Sequence, residues 1–183
     1  MSNSVAQKKV VLIDDSEAQD EQGQFLTFLL RGEMFAIGIL HIKEILEYGQ
    51  LTPVPMMPEF IRGVINLRGS VVPVVDLGAR FGGKQSDVTK RTCIVIIEVT
   101  TEEGQQDIGV VVDSVSEVLE IPDSEIEQAP SFGAKIRADF IDGMGKVNGK
   151  FVIILDVNRV LSVEELAMIN GSGGTVQEEV PEA

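Results

Sequence analysis

Apolar residues in this chain come in short dense runs broken by glycine and charge. FLTFLL (25–30), FAIGI (35–39), SVVPVVDL (70–77), TCIVIIEV (92–99), DIGVVVDSV (107–115) and KFVIILDV (150–157) are rich in Val and Ile and read as strands. RGE (31–33) and EEGQQ (102–106) read as the turns of hairpins, and Asn148-Gly149 is a strong two-residue turn signal. Pro73 removes a ladder donor, so its strand is expected to lie at an edge there. Helices look short. HIKEILEY (41–48) places Ile42, Ile45 and Leu46 at helical spacing. Ser162 with Glu165 forms a capping-box pattern, Leu166 and Ile169 share a face, and Gly171 supplies a stop, which predicts a C-terminal helix. Asp76 and Asp156 each follow a strand and read as helix N-caps.

The pattern repeats. FIRGVINLRGSVVPVVDL (60–77) aligns without gaps on FIDGMGKVNGKFVIILDV (140–157), an offset of 80. Phe60/Phe140, Ile61/Ile141, Gly63/Gly143, Gly69/Gly149 and Asp76/Asp156 are identical. A second echo precedes it in the same order: IG (37–38) with EILE (44–47), then IG (108–109) with EVLE (117–120). Each half reads as two strands, a short helical crossover, a helical turn and a hairpin ending in an Asp cap. Modules of about 65 residues are marginal alone, so the two should pack together. Short strands with scraps of helix favour small barrels over a parallel α/β sheet. The expected division is an acidic disordered tail (1–21), a folded region (22–168) of two modules at 22–86 and 90–168, and a second disordered tail (169–183).

Composition narrows the function. The 183 residues carry 15 Lys and Arg against 29 Asp and Glu, a formal charge of −14. Such a chain repels phosphate backbones and anionic lipid, so neither nucleic acid nor membrane-surface binding is expected. Aromatics make up only 5% and Trp is absent, so the core must be aliphatic. Cys93, the single cysteine, cannot form an internal disulfide, which fits a reducing compartment. No signal peptide and no apolar run of about 20 residues is present, so the expected address is the cytoplasm.

Reactive chemistry is sparse. His41, the only histidine, lies beside Lys43 and Glu44 and reads as a surface residue. No Cys/His cluster for a metal, phosphate loop or nucleophile elbow appears, and no cofactor is implied. Asp76 and Asp156 could form a hydrolase's carboxylate pair, but their equivalent places in the repeats argue for two identical caps. VVLIDD (10–15) resembles the first strand and acidic pair of a phosphoreceiver, with Asp14 or Asp15 as candidate acceptors. The barrel sequence begins too soon to leave room for that domain. Arg68, in the NLRG turn (66–69), is suited to gripping a carboxylate in a plane, and Glu44 is its candidate partner.

Three long runs carry a family resemblance. PEFIRGVINLRGSVVPVVDLGARFG (58–82), IGVVVDSVSEVLEIPDSEIEQAP (108–130) and FIDGMGKVNGKFVIILDVNRVLS (140–162) resemble, in order, three signatures of the CheW family of chemotaxis coupling proteins. The resemblance implies a mostly β protein of two packed five-stranded SH3-like barrels. It implies a non-catalytic adaptor that bridges the cytoplasmic hairpin tips of transmembrane chemoreceptors to the regulatory domain of the chemotaxis histidine kinase, at arrays on the inner face of the membrane. A scaffold of a related non-swimming pathway is the alternative. Carried over by motif position, Ile39, Ile42, Cys93, Val115, Val118 and Gly143 are candidates for the receptor groove, with Val115 and Val118 spaced like one helical face. Glu44 and Arg68 match the family's Glu and the NLRG arginine. The 63–69 turn region, with Gly63, Asn66 and Gly69, is the candidate kinase contact.

Overall fold

The computed structural model describes residues 23–102, 104–128 and 138–161. The two tails, the VVLIDD segment and the helix expected from Ser162 lie outside the described residues. Eleven strands are present among the described residues: β1 (Gln24–Leu30), β2 (Glu33–Gly38), β3 (Ile42–Glu47), β4 (Ile61–Leu67), β5 (Ser70–Asp76), β6 (Cys93–Thr101), β7 (Gly104–Val112), β8 (Ser114–Glu120), β9 (Ile126–Glu127), β10 (Ile141–Val147) and β11 (Lys150–Leu155). Two single-turn helices, α1 (Leu77–Arg80) and α2 (Val157–Val160), follow β5 and β11.

The strands make two sheets, ordered β3-β6-β7-β5-β4 and β8-β1-β2-β11-β10-β9. The second has a sixth, two-residue strand beyond the expected five, because Ile126 and Glu127 pair with Gly145 and Met144. Alternation along the strands divides the apolar residues into three clusters. Ile94 and Ile96 of β6 point inward with Val72, Val74 and Val111 to fill the first barrel. Ala36, Ile121, Val152 and Ile154 fill the second. Leu26, Phe28 and Leu30 of β1 and Val95, Ile97 and Val99 of β6 point the other way and meet in a larger cluster between the barrels.

The sequence repeat recurs in the strand pairing. β4 and β5 pair with a register shift between Ile61 and Gly63, and β10 and β11 with the same shift between Ile141 and Gly143. Asp76 N donates to Phe60 O at 2.7 Å, and Asp156 N to Phe140 O at 2.8 Å. Hairpins are exchanged: β1-β2 pairs in parallel with β11, while β6-β7 pairs in parallel with β5. Strands of both sequence halves therefore enter each barrel. The ladders equate Ala36 with Gly109, so the IG/IG echo is two residues out of register, whereas EILE/EVLE is aligned.

The helix expected over 41–48 is instead a 3-10 turn (Ile39–His41) followed by strand β3. The reason is a β-bulge. Ile42 faces Ile97 and Glu44 faces Ile96, so β3 carries one extra residue and Ile42 and Ile45 reach the same cluster at a spacing of three. β8 does the same. Val115 faces Phe28 and Val118 faces Leu26, which gives two strand residues the spacing of a helical face. Pro73 lies in a strand that is internal to its sheet. Val64, its partner, exchanges both hydrogen bonds with Thr52, so the proline nitrogen faces the β7 side, where pairing starts only at Val74.

Candidate functional site

The seam between the barrels gathers five of the six groove candidates. Ile39 and Ile42 are only 2% and 6% exposed and belong to the central cluster. Cys93, Val115 and Val118 are half-buried and pack against it from outside. Ile42 and Val115 hold equivalent places in the two barrels, paired with Ile97 and Phe28. Gly143 sits apart. A Cβ there would lie 2.6 Å from Ile126 Cγ2, so its small size serves the β9–β10 contact. Leu40 was missed by the sequence reading: its side chain stands 48% exposed on the 3-10 turn between two buried isoleucines. The apolar run GIL was its only signal.

Cys93 opens β6 opposite Glu47. Desolvation pushes its thiol above the ordinary value of 9.0. The Val115 amide opposes this by donating to the sulfur, and the Glu47 charge adds to the upward shift. The same contact joins β6 of one barrel to β8 of the other.

Arg80 pins the seam. Its guanidinium lies 5.1 Å from the Phe60 ring centroid and 4.8 Å from that of Phe140, the two pseudo-equivalent phenylalanines. Its Nε donates to Val160 O at 2.8 Å.

Glu44 and Arg68 form the expected ion pair. β3 and β4 are the two edges of the first sheet, so the pair closes that barrel's mouth from edge to edge. In the 63–69 region, Gly69 N donates to Asn66 Oδ1 at 3.1 Å, and Arg68 and Gly69 take left-handed φ values of 53° and 88°. Gly63 is required by a close approach: its φ is +149°, and a Cβ would lie 2.5 Å from Thr52 O.

Asp76 and Asp156 cap their own helices. Asp76 accepts from Ala79 N, and Asp156 from Asn158 N and Arg159 N. Asp76 is fully buried and accepts further from Ser86 N at 2.8 Å and Ser86 Oγ at 3.2 Å. Arg62, the bulge residue of β4, brings its Nε to 3.0 Å from Asp76 Oδ2, an ion pair without hydrogen-bond alignment. Its equivalent in the second repeat is Asp142, so Asp156 has no matching arginine at that position. A carboxylate buried in this way is out of reach of a substrate. His41 is exposed, as expected. Among the described residues no helix is long and apolar enough to cross a membrane.

Two small barrels joined across an aliphatic seam by exchanged hairpins define a duplicated β-barrel scaffold. The chain belongs to the CheW-like domain family, whose model matches residues 24–165. It is 35% identical over 147 residues to the chemotaxis protein CheW of Klebsiella aerogenes, covering 80% of this chain and 86% of that one. It is 34% identical over 141 residues to CheW of Bacillus subtilis, covering 77% and 88%. Protein FrzA of Myxococcus xanthus is 31% identical over 134 residues, covering 73% and 80%. The crystal structure of the scaffolding protein TtCheW from Thermoanaerobacter tengcongensis superposes with a TM-score of 0.69 at 33% identity, covering 76% of this chain and 87% of that one.

Proposed function

We propose that this chain is a non-catalytic adaptor that couples the cytoplasmic tips of chemoreceptors to the chemotaxis histidine kinase, in the cytoplasm beneath the receptor array. The observation that carries this reading is the seam. Half-buried Cys93, Val115 and Val118 lie over a floor that includes Ile39 and Ile42, an aliphatic strip of the kind that receives a helix by its apolar face. Leu40 adds an exposed leucine on the adjoining turn. Gly143, at the β9–β10 contact, is left out of the strip. The kinase contact is assigned to the 63–69 turn region at the opposite edge of the first sheet, where Gly63, Asn66 and Gly69 hold the turn in one shape.

The test is binding of the full chain to a receptor cytoplasmic fragment. Val115→Asp and Val118→Asp place charge in the strip without emptying the core. Both are expected to stay folded and to weaken receptor binding at least tenfold, about 1.4 kcal/mol, while kinase binding persists. Folded variants that bind receptor as the native chain does would reject the groove assignment. Failure of the native chain to bind either partner would reject the adaptor reading. Ile42→Asp is a poor probe, because Ile42 is core and its replacement unfolds the barrel.

A further inference from the structure

Thr27 is one of three buried polar residues among the described residues, with Asp76 and Thr92. It sits 1% exposed in the middle of β1, between Leu26 and Phe28. Its hydroxyl makes two bonds to one residue 90 positions away: Oγ1 donates to Glu117 O at 2.7 Å and accepts from Glu117 N at 3.1 Å. The strand pairing passes over this point. Leu26 faces Val118 and Phe28 faces Val115, so β8 takes three residues where β1 takes two. Thr27 has no ladder partner across the bulge, and its side chain binds both backbone groups of Glu117 instead.

The first barrel holds the same bulge differently. Ile97, Ile96 and Val95 of β6 take the places of Phe28, Thr27 and Leu26, and there Glu44, the counterpart of Glu117, is in register with Ile96. Ile96 is 0% exposed and fills that barrel's interior. An apolar residue stands where the ladder holds the bulge, and a hydroxyl stands where it does not. The bulge matters to the seam because Val115 and Val118 are three residues apart. Regular strand alternation would send them to opposite faces, and the extra residue brings both against the central cluster. We infer that Thr27 is the positioning residue of the seam strip: too buried to touch a partner, it fixes through its hydroxyl the β8 bulge that presents Val115 and Val118 together. The consequence for receptor affinity rests on the receptor-coupling reading above. The placement of the two valines does not.

Two conservative variants of the full chain separate the hydroxyl from the packing. Thr27→Val keeps the shape and removes the hydroxyl; Thr27→Ser keeps the hydroxyl and removes the methyl. Thr27→Val is expected to shift the Val115 and Val118 methyl NMR signals and to leave in place those of Val71, exposed on the first barrel. Its Glu117 amide should exchange with solvent about tenfold faster than in the native chain, with the Glu44 amide unchanged. Thr27→Ser is expected to match the native chain in both readings. Receptor-fragment binding should follow the same order, about threefold weaker for Thr27→Val and native-like for Thr27→Ser, while kinase binding is unchanged in both. Valine signals and Glu117 exchange unmoved by Thr27→Val would overturn the inference. So would a loss of binding as large in Thr27→Ser as in Thr27→Val and in step with their urea midpoints, which would reduce Thr27 to packing. A native chain that binds no receptor fragment would reject the adaptor reading instead, and the valine signals and Glu117 exchange would still decide the placement.

Discussion

Three charged residues carry different weight because their surroundings differ. Asp76 is fully buried with four polar contacts, and its loss leaves the Arg62 guanidinium, mostly buried, without its counter-charge. Asp76→Ala is expected to cost about 3–5 kcal/mol. Asp156→Ala removes a helix cap alone and should cost about 1 kcal/mol. Arg68 is 70% exposed, so Arg68→Ala should cost less than about 1 kcal/mol despite breaking the pair with Glu44. Urea unfolding of the three variants checks this order. Cys93 adds a pH effect. Burial favours the neutral thiol, so its folded value lies above the ordinary 9.0. Its contribution to stability is present in full below the unfolded value and is lost as pH rises through the folded one. At neutral pH the thiolate is scarcer in the folded protein, so alkylation should run several-fold slower than in urea-unfolded chain, measured by iodoacetamide labelling.

Local pattern misled where a bulge changed the period. β3 and β8 each carry one extra residue against their partners, which converts strand alternation into the spacing of a helix face. Nothing in HIKEILEY announces this, because the bulge exists only where β6 offers a ladder to pair with. The turns were legible for the opposite reason: Arg68-Gly69 and Asn148-Gly149 reach left-handed φ within two residues, and glycine at the second position marks them. Gly63 belongs to this scale as well. Gly63→Ala would drive a Cβ into the Thr52 carbonyl and break the paired hydrogen bonds between Thr52 and Val64. The expected cost is about 1–3 kcal/mol, and a melting temperature lower by several degrees in a thermal scan would show it.

Over the whole molecule, the exchanged hairpins decide how the protein holds together. The first barrel takes β6 and β7 from the second half of the sequence, and the second takes β1 and β2 from the first. Neither half can complete a barrel alone. Unfolding is expected to be one cooperative transition, with backbone circular dichroism and Cys93 accessibility changing at the same urea concentration. A fragment of residues 22–86 should lack a sigmoidal unfolding curve. Two separated transitions, or a fragment that folds, would contradict this arrangement.

Sequence alone determined the repeat, most strand positions, the tight turns, the two Asp caps and the aliphatic core, because each depends on neighbours a few residues apart. It also reached Glu44 and Arg68, through motif position. Tertiary structure decided the rest. It put the bulges in β3 and β8, gave Gly143 to a contact away from the seam, and buried Ile39 and Ile42 as the seam's floor. These depend on which strands lie side by side, and the exchange of hairpins sets that across gaps of many tens of residues, beyond the reach of any local pattern.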